Sequence, residues 1–123
     1  MRSVLSLALL ALAAVAVPLL PSNAAVDRAP GRVQVVEKEF SLVLSRLRVP
    51  AGQTIIQVVN FGMDNHDLVL QRNGKGAKPI LFKQLAPGER TTKTLTLPAG
   101  RYTLWCSLPG HRRHGMVAPL TVG

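Results

Sequence analysis

The sequence predicts an all-β domain, a Greek-key β-sandwich of seven or eight strands, and three observations carry that prediction. Short runs rich in Val, Leu, Ile and Thr alternate with proline and glycine turns at 50–52, 87–88 and 98–100. No segment sustains a helical period. The 123 residues contain no internal repeat and suffice for one domain only.

The elements follow in chain order. Residues 1–24 read as an export signal: Arg2 supplies the charged start, Val4 to Val17 is an apolar run broken only by Ser6, and Ser22-Asn23-Ala24 fits a small-x-small cleavage site. Pro18 and Pro21, and a run shorter than the roughly 20 residues that span a bilayer, argue against a retained anchor. The mature domain is then 25–123, exported to the periplasm or another extracytoplasmic space, with no stable membrane insertion once the signal is cleaved. Residues 25–31 form a polar lead-in. Residues 32–40 and 41–49 read as two strands, the second changing phase near Ser45. After the 50–52 turn, 53–60 is an apolar strand carrying Ile55, Ile56, Val58 and Val59. A loop at 61–65 leads to a strand over 66–71 that sets His66, Leu68 and Leu70 on one face. Residues 72–79 are a basic, glycine-containing loop, and 80–85 is short and ambiguous. Clean alternation makes 90–97 a strand with one wet face, and 116–122 closes the chain.

The chemistry concentrates between residues 101 and 116. Alternation along the strand 101–106 puts Tyr102, Leu104 and Cys106 on one face, with Thr103 and Trp105 on the other. The only cysteine therefore ends an inward face, where a loop stiffened by Pro109-Gly110 carries His111 and returns Met116 to the last strand. Thiolate, imidazole and thioether within eleven residues form a soft donor set suited to copper. Exported chains usually pair their cysteines, so a lone Cys106 beside His111 and Met116 reads as a metal ligand more readily than as a structural thiol. His114 reads as a solvent-exposed loop residue, Met63 as an apolar lip residue and Trp105 as sheet packing.

The pattern Tyr102-x3-Cys106-x2-Pro109-Gly110-His111-x3-Gly115-Met116, with Asn60-x5-His66 upstream, resembles the cupredoxins, the small blue copper proteins. The turns Val49-Pro-Ala-Gly52 and Leu97-Pro-Ala-Gly100 are similar to that family's punctuation. The resemblance implies one copper per chain, with His66, Cys106 and His111 as equatorial ligands and Met116 as a weak axial one. The ligand-loop spacing is nearer to rusticyanin than to plastocyanin. By the same analogy Asp67, which follows the first ligand, accepts hydrogen bonds from Ser107 and so steadies Cys106 from outside. The binuclear copper domain of cytochrome oxidase, a cousin, needs a second cysteine four residues after the first; position 110 is glycine, which excludes a two-copper centre. The physical reading agrees, because two imidazoles, a thiolate and a distant thioether make the trigonal arrangement of an electron-transfer copper site. With such a site, the His66 and His111 ring nitrogens lie roughly 3.5–4 Å from the Cys106 sulfur.

Charge bears on partners. Lys and Arg number 15 against 6 acidic residues, for a formal charge of +9. The basic residues are scattered and not interleaved with aromatics, and export makes a nucleic-acid partner unsuitable. Arg112 and Arg113 flank His111, where they would favour an acidic redox partner. No Ser-His-Asp set, carboxylate pair or phosphate loop suggests an enzyme. The expectation is a monomeric, exported type 1 (blue) copper protein that shuttles single electrons between redox protein partners. The second reading is a non-redox copper-binding or copper-delivery protein; a rigid four-ligand set and the lack of methionine-rich tracts count against it.

Overall fold

The computed structural model describes residues 28–123, and among these it has nine strands and no helix; the export signal read at 1–24 lies outside the described residues. The strands are β1 Gly31–Lys38, β2 Ser41–Leu44, β3 Arg48–Val49, β4 Gly52–Asn60, β5 Val69–Arg72, β6 Ile80–Leu81, β7 Arg90–Leu97, β8 Gly100–Trp105 and β9 Val117–Val122. The count exceeds the expected seven or eight because 41–49 is two strands in two sheets. β2 pairs antiparallel with β1, whereas β3 pairs in parallel with β9. The change of phase near Ser45 is this change of sheet. There the chain leaves β1, with the Ser45 hydroxyl accepting a hydrogen bond from the Gln34 N–H at 2.8 Å. The strand expected at 66–71 starts only at Val69; before it, His66 makes an isolated bridge to Leu85, N–H to carbonyl at 3.0 and 2.7 Å.

The sheets run β2-β1-β4-β7 and β3-β9-β8-β5-β6, with β1 parallel to β4. Alternation does the packing. β1 and β4 send Val33, Val35, Ile56 and Val58 inward, and they meet Leu68, Leu70, Tyr102, Leu104, Leu120 and Val122 from the facing sheet. Each fully buried aliphatic side chain contributes about 1.5–3 kcal/mol relative to exposure, so this layer holds the two sheets face to face. β7 is an edge strand whose residues are mostly exposed; its Lys93 ammonium lies 5.7 Å from the centroid of the Phe82 ring, just beyond β6. The C-terminal ends of β1, β4 and β8 and the N-terminal ends of β5, β7 and β9 share one end of the sandwich, as their registers require. That end holds the site.

One inward position breaks the apolar rule. Glu37, the last inward residue of β1, is completely buried, and neither carboxylate oxygen has a hydrogen-bond partner. Burial, reinforced by the nearby Asp67 charge, pushes its pKa from 4.5 up to about 8. The unfolded chain releases this proton near pH 4.5 while the folded chain keeps it. The stability linked to Glu37 is therefore complete below pH 4.5 and is lost as pH rises through about 8. At about 1.4 kcal/mol per pKa unit, the loss amounts to a few kcal/mol. Glu37→Gln is expected to flatten this dependence, read by urea unfolding of the metal-free protein at acid, neutral and alkaline pH. An unchanged slope in the variant would assign the pH dependence to other groups.

Candidate metal centre

Two strands and two loops build the centre. β8 is inward-facing at Tyr102 and Leu104, so the next inward position, Cys106, falls just past the strand end and is completely buried. His66 is delivered by the segment before β5 and is also completely buried. Asn60, buried at the end of β4, ties the intervening loop. Its side-chain amide donates to the Asp64 and Leu85 carbonyls at 2.8 and 3.0 Å, and its Oδ1 accepts the Gly62 N–H at 2.8 Å. Because Leu85 also bridges His66, one asparagine fixes both the loop and the bridge that seats the histidine.

The second loop closes on itself. Cys106 N–H donates to the Met116 carbonyl and Met116 N–H to the His111 carbonyl, both at 3.1 Å. His111 N–H reaches Leu108 and Gly115 N–H reaches Arg112, again at 3.1 Å. The backbone thus brings Cys106, His111 and Met116 together before any side chain is considered. Met116 is fully buried in the same apolar cluster as Cys106, while His111 is only half-buried.

The donor atoms of His66, Cys106 and His111 all lie within 4.8 Å of one another. Cys106 Sγ is 3.5 Å from His111 Nδ1, at the near end of the expected range, and the two Nδ1 atoms are 3.1 Å apart. Burial pushes the Cys106 thiol pKa up, and a bound cation would displace that proton. A thiolate and two imidazole nitrogens converging in a buried pocket beside a thioether fit copper by donor chemistry. His114 stays outside: it is exposed, and its Nδ1–H donates to the Gly110 carbonyl at 2.7 Å. Met63 is 86% exposed on the opposite lip.

Asp67 lies against Ser107. Its Oδ1 accepts the Ser107 N–H at 2.6 Å and its Oδ2 accepts the hydroxyl, which clamps the residue after Cys106. Arg112 and Arg113 are both exposed, and the Arg112 guanidinium lies over the outward face of Trp105, 4.5 Å from the ring centroid. Two residues at this centre escape sequence reasoning. Glu39 places Oε1 2.8 Å from His66 Nε2. The Asp64 and Met63 N–H groups also donate to it, and with His66 they hold its pKa near 2, against the 4.5 usual for glutamate. Phe40 sits edge-on to His111, centroids 5.1 Å apart, and tilted against His114 at 5.0 Å. Both lie in the tight β1–β2 turn, where a glutamate and a phenylalanine carry no metal-site signature.

Among the described residues, a two-sheet sandwich of nine strands with a cysteine–dihistidine cluster at one end defines a copper protein of cupredoxin architecture. The chain belongs to the plastocyanin/azurin family of copper binding proteins, whose profile matches residues 30–123, and its cofactor is copper. No curated protein sequence gives a significant match. Among solved structures it is similar to reduced auracyanin from the photosynthetic bacterium Roseiflexus castenholzii, at 21% identity and a TM-score of 0.62, covering 78% of this chain and 99% of that one. Auracyanin A, a blue copper protein from Chloroflexus aurantiacus, matches at 21% identity and 0.57, covering 77% and 100%. Rusticyanin from Thiobacillus ferrooxidans matches at 19% and 0.56, covering 77% and 79%. At these identities the likeness is one of fold.

Proposed function

We propose that the protein is an exported carrier of single electrons, with His66 Nδ1, Cys106 Sγ and His111 Nδ1 as firm copper ligands and Met116 as a weak fourth. The observation that carries this reading is the convergence of three donors, two fully buried and the His111 ring half-buried, on a self-bonded backbone. Bound copper supplies a one-electron couple; the chain supplies a seat that has little to rearrange. Cys106 is held just past the end of β8 and His66 by its bridge to Leu85, and the loop hydrogen bonds hold His111 against Phe40. Around that ring, Phe40, Phe61 and Met63 are 38%, 59% and 86% exposed and form an apolar lip from which a partner can exclude water. An electron carrier of this kind performs no substrate turnover. The test is copper reconstitution followed by visible and paramagnetic spectroscopy and voltammetry. An intense thiolate-to-copper band with a reversible wave supports the reading. A colourless complex that yields its copper rapidly to a chelator would support copper delivery instead.

The basic rim points to an acidic redox partner in the extracytoplasmic space reached by the mature chain, 25–123. Arg112 and Arg113 add exposed positive charge beside the ligand loop, and Trp105 fixes the position of the first. Arg112→Glu/Arg113→Glu is expected to slow reaction with an acidic partner about tenfold at low salt, mainly through association. The deficit should shrink as salt screens charges over about 8–10 Å. Stopped-flow kinetics across ionic strength checks this; wild-type rates in low salt would remove the arginines from docking.

A further inference from the structure

We propose that Glu39 is a positioning residue that keeps the His66 Nδ1 lone pair free for the metal and biases the copper couple toward its oxidised state. The inference rests on the reading of His66 as a ligand. Glu39 Oε1 receives three groups at once: Met63 N–H at 2.9 Å, Asp64 N–H at 2.8 Å and His66 Nε2 at 2.8 Å. An oxygen already accepting two backbone N–H groups has no proton to give, so His66 Nε2 is the donor. A neutral imidazole carries a single N–H, which leaves Nδ1 bare. That Nδ1 is the atom 3.1 Å from His111 Nδ1, inside the cysteine–dihistidine cluster. Without metal, His111 supplies the hydrogen between the two rings.

The carboxylate does more than set a tautomer. In a chain with 15 Lys and Arg, the His66–Glu39 contact is the only one of ion-pair geometry among the described residues. Among the described residues no Lys or Arg pairs with Glu39, and its negative charge is directed at the imidazole. The surroundings are shaped to admit it: a Cβ on Gly62 would stand 2.3 Å from Oε1. A backbone carbonyl or an amide in the same place would also hold the Nε2–H. Only a carboxylate adds charge, makes the imidazole a stronger donor and favours the more positive oxidised ion.

Glu39→Gln separates the two effects, because a Gln oxygen can accept from the same donors without the charge. In the variant, the ratio of Cu(II) to Cu(I) affinity is expected to fall roughly tenfold, which for one electron is a potential raised by about 59 mV. Nitrogen NMR of the metal-free variant should still show His66 with its proton on Nε2. Gly62→Ala, which displaces the carboxylate without removing it, should raise the potential likewise and lose the tautomer preference. It stands in if Glu39→Gln does not fold. A ratio within twofold of wild type in a protein that is otherwise blue overturns the proposal. So does a metal-free wild type with the His66 proton on Nδ1. A wild type that forms no blue complex would instead sink the reading of the centre, while the metal-free NMR still decides how Glu39 positions His66.

Discussion

Cys106→Ser is expected to abolish the intense visible band of the copper-loaded protein and to weaken copper binding by on the order of a hundredfold or more. The band needs a copper–thiolate bond, and a serine hydroxyl supplies neither the soft donor nor, at neutral pH, the negative charge. The fold should survive. The substitution changes one atom in a fully buried side chain, and the bond from residue 106 to the Met116 carbonyl is made by the backbone. Circular dichroism therefore stays native while the absorbance disappears. His111→Ala should bleach the protein as well, because its Nδ1 lies 3.5 Å from the sulfur. His114→Ala should not, because that ring is tied to the Gly110 carbonyl away from the cluster. A blue His111→Ala protein beside a colourless His114→Ala protein would exchange the two roles.

The second large effect is expected from Gly115→Ala. Gly115 has φ +125, a conformation that side-chain-bearing residues rarely adopt, and an added Cβ would stand 2.7 Å from the Phe40 carbonyl oxygen. The obstacle is backbone and cannot swing aside. Relief requires moving either the β1–β2 turn or the peptide leading into Met116, and both border the centre. Strain and displacement together are expected to cost about 2–4 kcal/mol, lowering the unfolding midpoint by roughly 10–20 °C for a domain of this size. Gly76→Ala is the control. Its φ of +76 is also positive, but an added Cβ meets nothing within 4 Å, so only about 1–2 kcal/mol of conformational strain is expected. Thermal unfolding of the two metal-free variants measures the difference. Equal midpoints would show that the Phe40 contact relaxes freely.

What the sequence discloses follows from the range of each signal. Alternation is local, so β1, β4, β7 and β8 were legible. Cys106, His111 and Met116 crowd into eleven residues and announce themselves; His66 was reached by the resemblance built on them. β3 has two residues, too few for any period to register, so the sheet change inside 41–49 showed only as a slip of phase. Glu39 was hidden for a different reason. Its partner His66 stands 27 positions away, and a glutamate in a turn looks like ordinary solvated charge. Glu37 presented a conflict between two rules: its strand parity pointed inward and its charge outward, and parity prevailed. Five of the six acidic residues, Glu37, Glu39, Asp64, Asp67 and Glu89, gather at the copper end of this basic protein, a segregation only folding brings out.

The edge strand β7 has a consequence for behaviour in concentrated solution. Eight residues of backbone with one free side form a template onto which a second extended chain can add, the usual start of strand-by-strand aggregation. Here that side carries Arg90 and Lys93 among threonines. A copy pairing edge to edge would crowd four cations into one ribbon, and repulsion between them opposes the addition. Lys93 also leans toward Phe82, its ammonium 5.7 Å from the ring centroid. Neutralising these two positions therefore removes the repulsion that opposes pairing along this edge.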